Sequence, residues 1–349
     1  MTLFKNNIEA MDAYVPGEQM PGREVVKLNT NENPYPPSPA VIDVMRHELL
    51  DQLRVYPDPR AGRFCEAVAN LLDVEPDWVL AANGSDNLIV MIARAALGPG
   101  RRIAQPVPTF PYYETQARVE DAELVNIPCD PGTFALDIDG LLAADADVTF
   151  VANPNSPTGI AASNDDLRRL AEGLRGLLVI DEAYVDFAEE TAVYLTREFD
   201  NVIVLRTLSK GYSLAGLRLG YAVASPGLLQ QLWKTKEIYN VTTLSQELGL
   251  AAIRDQDHKN ANAEKIKAER AKLADALTQR GCHVWPSQTN FLLVAVPGGK
   301  AEPIGEALKA RNVLVRYFKQ PAVMSDKLRI TVGSPEQNAK LLAAWDESL

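Results

Sequence analysis

The sequence predicts an α/β fold: a doubly wound, mostly parallel sheet forming a large domain, with a smaller α+β domain behind it. Three observations point there. From about residue 75, short β-branched runs alternate with helix-like stretches. Four of those runs are apolar on both faces, as strands buried between two helix layers must be. After Tyr239 the rhythm changes to long helices. The four strands are expected at 78–82, 148–152, 177–180 and 202–206. Each is followed at once by a polar cluster: Asn83-Gly84-Ser85-Asp86, Asn153-Pro154-Asn155-Ser156-Pro157-Thr158-Gly159, Asp181-Glu182-Ala183-Tyr184 and Thr207-Leu208-Ser209-Lys210. Ligands of open α/β sheets sit beyond the carboxyl ends of the strands, so four clusters placed this way converge on one pocket. Any one of them alone reads equally well as an ordinary polar loop.

Beyond Tyr239, helices are expected over 246–255 and 259–280, the second closed by Gly281 as a C-cap. Strands at 291–296, 313–316 and 327–332 and a last helix from about Pro335 complete the smaller domain. The Pro-rich run 33–39 separates an N-terminal arm from the main body. The expected division is an arm at 1–40 that joins the small domain, a large domain at 41–240 and a small domain at 241–349.

Composition narrows the function. A chain of 349 residues, 46% apolar and 23% charged, buries a large core and lacks the signatures of disorder or repeats. A net charge of -11 argues against nucleic-acid or anionic-membrane partners, which select basic surface. Residues 1–11 lack a signal-peptide core and no long apolar run occurs, so a cytoplasmic protein is expected. Cys65, Cys129 and Cys282 are scattered, which suits a reducing compartment. His47, His258 and His283 are not at ligand spacing from one another or from a cysteine, so no metal is expected.

Neither a dinucleotide-binding G-x-G-x-x-G nor a P-loop occurs, and no G-x-S-x-G nucleophile elbow. What remains is Lys210, directly after a buried strand, beside Thr207 and Ser209 and ahead of the turn Gly216-Leu217-Arg218-Leu219-Gly220. A lysine so placed can be desolvated and made nucleophilic, the setting of a Schiff base. Two hydroxyls and a guanidinium form an anion site for a cofactor phosphate. Gly84, Ser85 and Asp86 complete the cup if a helix starts near Asp86, although Ser85 as a plain N-cap fits the same residues.

In that order, Asn155-Ser156-Pro157-Thr158-Gly159, Asp181-Glu182-Ala183-Tyr184 and Ser209-Lys210 with Arg218 resemble the fold type I aminotransferases, over most of the chain. Within them, Leu28-Asn29-Thr30-Asn31-Glu32-Asn33-Pro34, Arg54-Val55-Tyr56-Pro57-Asp58, Leu205-Arg206-Thr207-Leu208-Ser209-Lys210 and Leu328-Arg329-Ile330-Thr331-Val332-Gly333 are most similar to the histidinol-phosphate aminotransferase family. The resemblance implies pyridoxal 5'-phosphate on Lys210 as an aldimine, Asp181 on the pyridine nitrogen, and Tyr184 and Asn155 on the phenolic oxygen. It further implies Phe110 stacked on the ring and Tyr56 reaching the phosphate of the other subunit of a homodimer. For the substrate it implies Arg329 and Arg316, two cations suited to a dianion, with Asn31, Tyr14 and Tyr239 nearby.

The implied reaction is ping-pong transamination of L-histidinol phosphate with 2-oxoglutarate, giving imidazole acetol phosphate and glutamate in histidine biosynthesis, with Lys210 also acting as the base. An aromatic or broad-range aminotransferase, a pyridoxal-phosphate-dependent phosphothreonine decarboxylase and a noncatalytic phosphate-binding regulator stay open at this stage.

Overall fold

The computed structural model describes residues 3–13, 17–20, 24–47 and 51–348. The arm contributes β1 (Val26–Lys27). The large domain contributes β2 (Val79–Ala82), β3 (Arg102–Val107), β4 (Glu123–Pro128), β5 (Val148–Ala152), β6 (Leu177–Asp181), β7 (Val202–Thr207) and β8 (Gly220–Ala224). The small domain contributes β9 (His283–Val284), β10 (Phe291–Ala295), β11 (Val313–Leu314), β12 (Arg316–Tyr317) and β13 (Lys327–Thr331).

The large sheet runs β2-β8-β7-β6-β5-β3-β4. Only β8 is antiparallel to its neighbours there, so the mostly parallel expectation holds. Side chains alternate between two buried faces, as the twofold repeat of a strand requires. Val148, Phe150, Val179, Ile203 and Leu205 pack on one face with Leu88, Ile89 and Ile92 of the helix Ser85–Ala96. Val151, Leu178, Ile180, Val202 and Val204 pack on the other with Leu167 and Leu170 of the helix Asn164–Gly173. Each such side chain contributes roughly 1.5–3 kcal/mol on burial, which is why these runs are mostly apolar, with Thr149 the one polar residue inside them and the other polar residues at their carboxyl ends.

Three strands of this sheet were not expected from sequence. β3 carries Arg102, Gln105 and Pro106 within its six residues. β4 is an edge strand with no fully buried position, and β8, Gly220-Tyr221-Ala222-Val223-Ala224, is short and opens on a glycine. The segment 313–316, expected as one strand, is two: β11 pairs in parallel with β1 of the arm, while β12 pairs antiparallel with β13. β11 belongs to the two-stranded sheet with the arm and β12 to the four-stranded sheet, so the chain changes sheet between Leu314 and Arg316.

Helix starts follow their caps. The helix Thr243–Arg254 begins earlier than expected because Thr242 accepts from the Ser245 N–H. Asp255 then caps the helix Gln256–Gln279, accepting from the His258 N–H, so a single residue separates the two. Gly281 takes φ +81 just beyond the end of the second helix, the left-handed stop that its position implies. A capping box of Ser334 and Gln337 opens the last helix, Pro335–Asp346.

Leu248, Ala252 and Ile253 of the helix Thr243–Arg254 belong to a core cluster with Val41, Phe64, Val68 and Tyr221. The helix Gln256–Gln279 then spans both bodies: Ala263 and Ile266 pack with Tyr184, Phe187 and Phe291, and Leu273 and Leu277 with the small-domain core around Leu292 and Trp345. Among the described residues no helix is long and apolar enough to cross a membrane.

Candidate active site

Because β8 alone runs backwards, β2, β5, β6 and β7 point the same way and all four polar clusters emerge on one edge of the sheet. Three of them, with the residues that follow β3, line a cavity of about 220 Å³; the cluster after β5 adds Ser156. Its walls include Thr30, Ser85, Asp86, Phe110, Tyr113, Ser156, Asp181, Tyr184, Thr207, Ser209, Lys210 and Arg218.

One end is an anion cup. Gly84 has φ +82 and ends without a side-chain cap on the helix Ser85–Ala96, so Ser85 is the first helical residue and not its cap. The first N–H groups of that helix have no intrahelical partner, and Ser85 and Asp86 at its start line the cavity. A Cβ on Gly84 would stand 2.8 Å from Arg218 Nη2, and one on Gly220 would stand 2.6 Å from the Ser85 nitrogen. Glycine at both positions lets β8 and the helix start close on each other. Arg218 itself has φ +54; Nη2 donates to Asp86 Oδ2 at 2.9 Å and Nη1 to the Ala215 carbonyl at 3.2 Å. Asp86 therefore enters the cup as the guanidinium's partner. Thr207 Oγ1 donates to Ser209 Oγ at 2.9 Å, completing the hydroxyl wall.

At the floor, Asp181 is buried at the end of β6, with Oδ2 accepting from the Tyr113 hydroxyl at 2.7 Å and Oδ1 from the Ala183 N–H at 3.1 Å. Burial pushes its carboxyl up to about 6, against the two hydrogen bonds that favour the ionised form. Lys210 Nζ donates to the Thr30 carbonyl at 3.3 Å and lies 5.7 Å from the centre of the Tyr184 ring. The Lys210 carbonyl accepts from Asn33 Nδ2 at 3.0 Å. Tyr184 accepts on its hydroxyl from Asn31 Nδ2 at 2.8 Å. Asn31 has φ +56 and is fixed from the small domain by Thr331 and Asn290. It touches Tyr184 from behind and is absent from the cavity wall.

Asn155 also stands behind the wall. Its amide donates to the Pro108 carbonyl and Thr158 Oγ1 and accepts from Thr109 Oγ1, while Ser156 faces the cavity. Ser156 Oγ accepts from Arg329 Nη1 at 3.1 Å, and Arg329 Nη2 donates to the Asn29 carbonyl at 2.9 Å. Arg316 sits directly across from Arg329 in the β12–β13 register. Tyr56 and Tyr239 stack on each other at 4.5 Å, exposed and away from this cavity. Tyr14 lies outside the described residues. Sequence reasoning singled out neither Tyr113 nor the Thr30 carbonyl. Tyr113 stands three residues past Phe110, in the first turn of the helix Tyr112–Val119.

Residues 23–344 match the family model described as aminotransferase class I and II. The chain belongs to that family. Histidinol-phosphate aminotransferase 1 of Trichormus variabilis is 50% identical over 347 residues, covering 99% of each chain. The histidinol-phosphate aminotransferase of Syntrophotalea carbinolica is 40% identical over 345 residues, again 99% of each. These relatives place the chain among the histidinol-phosphate aminotransferases. The crystal structure of the Sinorhizobium meliloti enzyme of that name, in complex with pyridoxal-5'-phosphate, matches with a TM-score of 0.93 at 26% identity, over 100% of this chain and 98% of that one. The fold type I architecture expected from the motifs is thus the one observed.

Proposed function

We propose that the chain transaminates L-histidinol phosphate with 2-oxoglutarate, giving imidazole acetol phosphate and glutamate, with pyridoxal 5'-phosphate held in the Lys210 cavity. The cavity fits that cofactor. The uncapped start of the helix Ser85–Ala96, Ser85, Thr207, Ser209 and Arg218 form a cup for its phosphate. A buried carboxylate on Asp181 suits a cationic ring nitrogen, Phe110 offers a ring face and Lys210 an amine for the aldehyde. When bound, the cofactor supplies an electron sink that stabilises negative charge at the carbon next to the substrate amine.

The chain's own residues do the rest. Lys210 Nζ takes the proton from substrate Cα and returns it on the other side of the reaction. Asp181 keeps a nearby ring nitrogen protonated, and that cation offsets the cost of burying the carboxylate. Because Asn31 donates to the Tyr184 hydroxyl, the phenol's own hydrogen remains available for an acceptor in the cavity, which the cofactor's phenolic oxygen would supply when bound. Asn155 braces the wall that carries Ser156.

The observation that carries the substrate assignment is the Arg316–Arg329 pair. Like charges directly opposed across two strands repel, and a dianion bound between them reverses the sign. Arg329 also bonds Ser156 on the cavity wall, so a phosphate held there leaves the far end of the substrate at Lys210. Carboxylates of glutamate and 2-oxoglutarate use the same cations.

The active unit is a homodimer. Tyr56 is 79% exposed, and Val55, Ile238, Tyr239 and Leu244 are exposed around the same region, an apolar surface suited to a second copy that receives Tyr56. Three free buried cysteines suit the cytoplasm.

Visible and near-ultraviolet absorbance tests the reading. The wild type reconstituted with pyridoxal phosphate should lose its long-wavelength band on adding histidinol phosphate and regain it with 2-oxoglutarate. Lys210→Ala should hold the cofactor without cycling. Cycling with aromatic amino acids and not with histidinol phosphate would move the substrate assignment to a broad-range aminotransferase, and failure to retain cofactor would sink the reading altogether.

A further inference from the structure

Tyr113 is fully buried and held on three sides. Its ring stacks on Phe150 of β5 at 4.7 Å and meets the edge of Phe110 at 5.6 Å, and its hydroxyl donates to Asp181 at 2.7 Å. It is the first-turn residue of the helix Tyr112–Val119, so backbone, ring and hydroxyl are all fixed. A hydrogen bond donated to a buried carboxylate is among the strong ones, and a buried carboxylate without its donor carries the full cost of desolvation.

Resting on the reading of the cavity as a pyridoxal-phosphate site, we propose that Tyr113 is a positioning residue that holds Asp181 ionised and aimed at the cofactor's ring nitrogen while its ring edge sets Phe110 against the ring face. One side chain thereby fixes both protein contacts to the ring itself. The rest of the surroundings work against an ionised Asp181. Asp86 and Glu182 both disfavour its charge, and the Ala183 N–H is the other donor that favours it. Lys210, Arg218 and Tyr184 share the cavity wall. The arginine's partner is Asp86 and the lysine's is the Thr30 carbonyl, so neither pairs with Asp181.

Binding of pyridoxamine 5'-phosphate to the cofactor-free protein tests this, because that probe has no aldehyde to condense with Lys210. Affinity is measured across pH for the wild type, Tyr113→Phe, Asp181→Asn and the double variant, with Tyr212→Phe as a control for loss of a buried hydroxyl elsewhere. Wild-type affinity should fall on the acid side as Asp181 gains a proton. In Tyr113→Phe that acid limb should move up by about one pH unit or more, whereas Tyr212→Phe leaves it in place. In the Asp181→Asn background, Tyr113→Phe should change nothing further, the mark of a residue acting through the carboxylate.

An unmoved limb in Tyr113→Phe, or an equal effect with and without Asp181, overturns the proposal. Should Tyr113→Phe alone be too unstable to purify, rescue of its folding by Asp181→Asn supports the same coupling, and absence of rescue overturns it. No binding of the probe by wild type at any pH is a different failure, that of the cofactor site.

Discussion

Replacing Asp181 by Asn should stabilise the cofactor-free chain while destroying its function. Burial raises the carboxyl from 3.8 to about 6. Each pH unit of such a displacement corresponds to about 1.4 kcal/mol, so keeping the group ionised in the folded state costs roughly 3 kcal/mol. The sign follows from the folded value lying above the unfolded one. The folded chain holds the proton more tightly, so the penalty is absent below about pH 4, grows between the two values and is complete above about pH 6. Asn carries no such penalty at any pH. Urea unfolding of the two cofactor-free proteins should therefore show the balance moving towards Asn by about 3 kcal/mol as pH rises from about 4 to 7.5, offset at every pH by about 1 kcal/mol because the Asn amide nitrogen cannot accept where a carboxylate oxygen did. All other titrating groups are common to both proteins and cancel in the difference. With cofactor added the order should reverse, because only the carboxylate gains a cationic partner. A cofactor-free Asn variant that is less stable at pH 7.5, or a gap that ignores pH, would refute the claim that desolvation dominates at this residue.

Gly84→Ala places a methyl 2.8 Å from Arg218 Nη2 at a φ of +82; we expect a loss of about 1–2 kcal/mol in stability, together with weaker phosphate retention, measured by urea unfolding and by inorganic phosphate competition with the cofactor. Arg316→Gln removes one of two opposed cations; KM for histidinol phosphate should rise at least about tenfold, with a smaller change in kcat. An unchanged KM in steady-state kinetics would place the phosphate elsewhere.

The sheet's centre was legible because a strand buried on both faces is mostly apolar, as β5, β6 and β7 are up to their polar carboxyl ends, Thr149 being the one polar residue inside them. Its margins were not. β4 sits at an edge, where Glu123 and Asn126 are tolerated, and β8 hides within a glycine-rich stretch that reads as a turn. The polar clusters were legible for the same reason as the strands, since each begins where the apolar run stops. Which member of a cluster faces inward was harder. Asn155 and Ser156 differ by one residue in a turn, and the backbone turns the serine towards the cavity and the amide away. Tyr113 went unremarked, because nothing in the string Pro108-Thr109-Phe110-Pro111-Tyr112-Tyr113 says that its hydroxyl ends at a carboxylate far along the chain.

The pairing of Val26 with Val313 has a consequence for how the protein is made. The segment that follows β1 supplies the Thr30 carbonyl to Lys210, Asn31 to Tyr184 and Asn33 to the Lys210 backbone. These residues leave the ribosome among the first, yet their partners in β11 and β13 leave among the last. Contacts so distant in sequence form late and slowly. During synthesis Lys210 can emerge with most of the parallel sheet already folded around it, but its bracing from the arm waits for the chain's end. The arm's contacts around Lys210 are therefore completed only once β11 and β13 are in place.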